Sequence, residues 1–156
     1  MTDKGSEHHF VQGKRFLKDE HFDRALRAFG KAYREDKKNP YYMSYFGLLK
    51  AIRGGEVGLG LELCTMAIKK EFYKAEFYLN LGKVYMSSGN KKGAANVFKK
   101  GLNFEPQNDE LNRLLAELGV RKGSVISSVD RSNPVNKILG ILFRRTIPRL
   151  FKRFKP

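Results

Sequence analysis

Tryptophan is absent from the 156 residues, cysteine occurs once, and acidic side chains are few. The lone Cys64 excludes a disulfide framework within the chain and any multi-cysteine zinc site. Histidine is almost as scarce. His8 and His9 are adjacent, so they cannot share one helix face as an i, i+4 metal pair would, and His21 reads as a solvated side chain beside Glu20. Long apolar runs are missing too: the longest, Ile138 to Phe143, falls far below the ~18–20 residues of a membrane span. The polar opening from Met1 to His9 lacks the apolar core of a secretory leader. A cytoplasmic chain is expected, with membrane association as the alternative. The shortage of acid is the strongest bias, because 16 Asp+Glu face 31 Lys+Arg and leave a formal charge of +15. Such a balance favours an acidic partner or surface.

Catalytic constellations are equally hard to find. Asp19-Glu20 and Glu35-Asp36 are carboxylate pairs with no partner in sequence that suggests acid/base work. The glycines at 54, 55, 58 and 60 lack the preceding strand and the following Lys-Ser/Thr of a phosphate loop. No enzyme activity, metal or cofactor is expected.

What is present is a rhythm. Residues 75–108 run from Ala75 through Tyr78, Leu81, Gly82 and Tyr85 to a Ser87-Ser88-Gly89-Asn90 turn. They continue through Ala94, Phe98 and Gly101 to Pro106. Positions 78, 81, 82 and 85 fall at i, i+3, i+4, i+7, and 94, 95, 98 and 102 nearly so, which predicts two amphipathic helices joined by a tight turn. Two periods earlier, 6–39 carries Gly13, Phe16, Phe22, Ala25, Phe29 and Ala32 at the same offsets. The middle copy, 40–74, keeps Phe46-Gly47 and Ala67, places Cys64 near the Phe position of its neighbours, and implies a turn about one residue longer. Cys64 therefore reads as a small buried hydrophobe. Leu111, Leu114, Leu115 and Leu118, with Asn108 or Asp109 as N-cap and Gly119 as stop, predict a closing helix over 109–119.

This pattern resembles the tetratricopeptide repeat, a helical hairpin of ~34 residues. The resemblance implies an all-α, right-handed superhelical solenoid. Its parts would be three repeats (6–39, 40–74 and 75–108), a capping helix (109–119), a linker (120–133), and a basic amphipathic C-terminal tail (134–156). Neither helix of a hairpin can bury its stripe alone, so stacked copies share one core. In such arrays the first helices line a concave face, and the resemblance places Phe10, Lys14, Lys18, Tyr41, Tyr45, Leu48, Asn80 and Lys83 on it. The competing readings are that Phe10, Tyr41 and Tyr45 pack between helices and that the lysines are merely wet. The clamp for C-terminal carboxylates that some such arrays carry is not matched here: Phe10, Tyr45 and Glu76 occupy several of its positions, leaving Lys14 and Asn80.

Beyond Gly119, residues 121–156 hold ten Lys+Arg and one acid, Asp130. Asn133-Pro134 reads as a helix start, and Pro148 should interrupt that helix near Thr146. C-terminal amphipathic helices are thus expected. Their surface contacts would come from Arg144, Arg145, Arg149, Leu150, Phe151, Lys152, Arg153 and Phe154. This tail could pack on the repeats, lie on an anionic membrane, or fold on a partner.

Together these features point to a non-catalytic adaptor or scaffold that holds a peptide or protein segment, acidic or mixed apolar and acidic. The alternative is a peripheral membrane protein anchored by its tail. A secretion-type chaperone is disfavoured by the charge. No nucleic-acid-binding signature accompanies the +15, which leaves at most non-specific binding.

Overall fold

Side-chain amides set the start of three helices. In the computed structural model, which describes residues 4–119, Asn39 Oδ1 accepts from the backbone N–H of Tyr41 at 2.9 Å and of Tyr42 at 3.4 Å. Asn90 Oδ1 accepts from Gly93 N at 2.8 Å, and Asn108 Oδ1 from Leu111 N at 3.0 Å. Each bond satisfies a donor that the first turn of a helix leaves without a partner. Of the two N-cap candidates for the closing helix, the structure selects Asn108. Gly119 ends that helix with φ +72° and donates to Ala116 O at 2.9 Å.

The described residues form α1 (Lys4–Lys18), α2 (Phe22–Glu35), α3 (Pro40–Ile52), α4 (Val57–Lys70), α5 (Ala75–Ser87), α6 (Lys91–Leu102) and α7 (Asp109–Glu117), with no strand among them. Packing is densest within the hairpins α1·α2, α3·α4 and α5·α6. Each second helix leans on the next hairpin or on α7, and α3 also touches α5. The α3–α4 turn, residues 53–56, is one residue longer than the turns at 19–21 and 88–90. Each turn holds one residue at positive φ: Gly55, Gly89 and, without glycine's freedom, Glu20 at φ 58°.

The core is built on a glycine facing a bulky side chain. A Cβ on Gly13 would stand 2.5 Å from the Phe29 ring, and one on Gly82 only 2.0 Å from that of Phe98. The middle hairpin solves the same contact with smaller parts. Cys64 stands where the others have phenylalanine, 3.3 Å from a Cβ position on Gly47, and Gly60 replaces the alanine found at 25 and 94. Without a ring to hold them apart, α3 and α4 approach until a Cβ on Gly60 would meet Gly47 O at 2.7 Å. The expectation that Cys64 is a buried hydrophobe holds: it is fully buried and donates a weak hydrogen bond to Ser44 O at 3.3 Å. Burial pushes its thiol pKa up to about 12.

Candidate functional site

The first helices of the three hairpins, together with α7, enclose a concavity of about 230 Å³. Its walls are Lys14, Leu17 and Lys18 from α1, Tyr45 from α3, Leu79, Asn80 and Lys83 from α5, and Glu110 from α7. Spacing explains the wall on α1: 14, 17 and 18 lie three and four residues apart, so they share one helix face. The same holds for 79, 80 and 83 on α5.

Electrostatics divide this groove. Lys83 Nζ lies 2.7 Å from Glu110 Oε1, an ion pair tying the third hairpin to α7. Lys14 and Lys18 are exposed and carry no ion pair among the described residues; Lys14 Nζ sits 5.2 Å from the centroid of the Phe10 ring. At the floor, Asn80 Nδ2 donates to Ser44 Oγ at 3.0 Å. Beside it, the Tyr45 hydroxyl donates a short hydrogen bond to Glu76 Oε1, joining α3 to α5. Burial and then this carboxylate raise the pKa of Tyr45 well above its ordinary range.

Of the residues expected on the concave face, Lys14, Lys18, Tyr45, Asn80 and Lys83 line the groove. Phe10 and Leu48 are corrections. Leu48 is 2% exposed and Phe10 8%, both within the core cluster. The Phe10 ring lies 5.1 Å from Tyr42, 5.3 Å from Tyr45 and 5.7 Å from Phe29. Aromatic area of that size is worth more against other rings than in water, so the packing alternative wins for Phe10, while Leu48 is an aliphatic core side chain. Tyr41 is half-buried, its ring 4.9 Å from that of Phe77, and it does not line the groove. Glu110 was not anticipated. Nothing in a local pattern pairs it with Lys83 on α5 across the intervening α6. The basic tail residues Arg144, Arg145, Arg149, Leu150, Phe151, Lys152, Arg153 and Phe154 lie outside the described residues.

A second and larger concavity, about 470 Å³, lies at the α1–α2 turn. It is lined by Glu20, His21, Phe22, Asp23, Arg24, Arg27 and Arg53. Its best-placed cation is already occupied, since Arg53 grips Asp23 through Nε at 2.6 Å and a terminal nitrogen at 2.9 Å. That contact holds the exposed Asp23 carboxyl below its usual pKa. No cluster of metal-ligating side chains occurs among the described residues.

No family model matches the sequence. The fold, however, is similar to solved repeat domains. The first TPR of Spaghetti (RPAP3), bound to an HSP90 peptide SRMEEVD, superposes with a TM-score of 0.61 at 17% identity, over 74% of this chain and 91% of that one. The Arabidopsis OM64 TPR domain gives 0.62 at 22% identity, over 74% and 95%. The second TPR domain of human RPAP3, in complex with an HSP70 peptide SGPTIEEVD, gives 0.57 at 17% identity, over 75% and 100%. This is the tetratricopeptide-repeat fold. Within the repeat array, the groove described above is the face formed by the first helices of the hairpins and closed at one end by α7.

Proposed function

We propose that this chain is a protein-interaction module that holds a peptide segment in the groove between α1, α3, α5 and α7. The observation that carries the reading is the pairing of two uncompensated cations, Lys14 and Lys18, with the apolar walls Leu17 and Leu79 in one concavity. A segment bearing carboxylates beside aliphatic side chains satisfies both halves at once. The likeness to domains crystallised or solved with SRMEEVD and SGPTIEEVD peptides supports the same ligand chemistry, as both carry acidic and apolar residues together. Asn80 and Tyr45 donate to Ser44 and Glu76 at the floor of the groove, and the Asn80 amide keeps a carbonyl acceptor and a second N–H for a ligand's backbone.

Fluorescence anisotropy with these two peptides as probes, plus a library of short peptides ending in free carboxylates, tests the proposal. Saturable binding of acidic members is expected, weakening with added salt and by at least about tenfold in Lys14→Glu/Lys18→Glu, since charge-assisted contacts are the strong ones. Selection of peptides without acidic enrichment, or affinity unchanged in that variant, would overturn it.

A further inference from the structure

Four charged side chains line the groove: Lys14, Lys18, Lys83 and Glu110. Beside its floor a fifth, Glu76, accepts from the Tyr45 hydroxyl. The three cations are not equivalent. Lys83 Nζ stands 2.7 Å from Glu110 Oε1, whereas Lys14 and Lys18 carry no ion pair among the described residues.

Glu110 is placed for this contact by α7. Leu111, Leu114 and Leu115 are buried in one cluster with Leu79 of α5 and Phe98 of α6, and residue 110 lies in the first turn at the edge of that stripe. Its own helix offers Arg113 three residues on, a spacing at which side chains meet. Arg113, however, pairs with Glu117 one turn further along. The Glu110 carboxylate goes across to α5 instead.

Stability does not depend on the Lys83–Glu110 pair. Its side chains are 33% and 43% exposed, and an ion pair that open to water adds little to a contact the leucines already hold. Its consequence is for the groove. The carboxylate on Lys83 is tethered there, so an incoming one must displace it, exchanging one ion pair for another and leaving a like charge beside it. Lys14 and Lys18 impose no such exchange.

Resting on the peptide-binding role proposed above, we propose that Glu110 determines which acidic segments the groove accepts. By withholding Lys83 it admits segments whose carboxylates gather at one end, against Lys14 and Lys18 of α1, with an uncharged stretch running past Leu79 toward α7. Segments acidic along their whole length are disfavoured, because their second cluster meets Glu110 and finds Lys83 already paired.

Two peptides of equal length test this in anisotropy titrations of the full chain: SGPTIEEVD, acidic toward one end, and the analogue SEPEIEEVD, acidic toward both. Glu110→Gln should shift the ratio of affinities toward the analogue by at least about threefold, the scale of one partly exposed charge contact. Lys83→Gln/Glu110→Gln should bring the ratio back to within about twofold of the wild type, which assigns the gain to the released lysine. Both substitutions fall at half-exposed positions, so the melting transition should be unchanged. A ratio that Glu110→Gln leaves unmoved would overturn the proposal while peptide binding stands. A gain that persists in the double variant would overturn it too, since the effect would not run through Lys83. Failure of the wild-type chain to bind either peptide would overturn the binding role itself, and this proposal with it.

Discussion

Gly82 lies beneath the ring of Phe98 so closely that a Cβ there would sit 2.0 Å from Cε1. The contact recurs between Gly13 and Phe29 and, with a smaller partner, between Gly47 and Cys64. It sets how near the two helices of a hairpin approach, and hence how the next hairpin stacks.

Gly82→Ala should therefore destabilise the protein despite alanine's better helix propensity. Overpacking of this kind costs ~1–3 kcal/mol, well above the ~1 kcal/mol that alanine gains over glycine in a helix interior. Gly58, also helical but with nothing within 4 Å of a built Cβ, is the control: Gly58→Ala should be neutral or stabilising. Urea unfolding midpoints separate the two.

Glu20 occupies the left-handed region at φ 58°, the place that Gly55 and Gly89 fill in the other hairpins. For an L side chain that conformation costs ~1–2 kcal/mol, partly offset by glycine's larger loss of chain entropy on folding. Glu20→Gly is expected to raise stability by about 0.5–1 kcal/mol. A lowered melting temperature in a thermal scan would contradict this.

The Cys64 thiol, buried and with its pKa pushed up to about 12, should be inert to thiol reagents in the native protein at neutral pH. Labelling then proceeds only through unfolding, and its rate should rise with urea in step with the loss of helical signal. Fast labelling in native buffer would show that the middle hairpin opens locally.

Tyr45 gives a signed prediction for high pH. Its raised pKa means that the folded chain keeps a proton which the unfolded chain gives up above a pKa of ~10, so this contribution to stability is complete below that pH and is lost as pH rises further. In a tyrosinate absorbance titration, Tyr45 should ionise late. Tyr78, also raised by burial, lags with it, so the difference against Tyr45→Phe isolates the group. Glu76→Gln should bring the Tyr45 transition down by removing the adjacent negative charge.

The helices, the caps of the closing helix and the placement of Cys64 were legible in the sequence because they follow from short-range rules. Period 3.6 apolar spacing, an asparagine ahead of a helix, and a repeat of fixed length need only the identities of neighbours along the chain. The groove was legible in part. Lys14, Lys18 and Lys83 could be placed because a repeat position fixes the face from which a side chain leaves its helix. Whether a large residue on that face stays open or folds inward depends on what comes from the next hairpin. Phe10 was drawn into the core by aromatic surface of α2 and α3, which no single hairpin contains, and Leu48 lies buried in the same cluster.

The sequence by itself determined that helical hairpins must form and share their apolar stripes, since each stripe is too exposed to stand alone. Only the tertiary structure decided which charges remain available. Lys83 is taken by Glu110 and Tyr45 by Glu76, whereas Lys14 and Lys18 are left open, because pairing across hairpins depends on distances between helices. It also brought Phe72, Tyr73 and Phe104 together from two connections that lie apart in the chain. Stacking places those loops side by side, and local spacing carries no record of that.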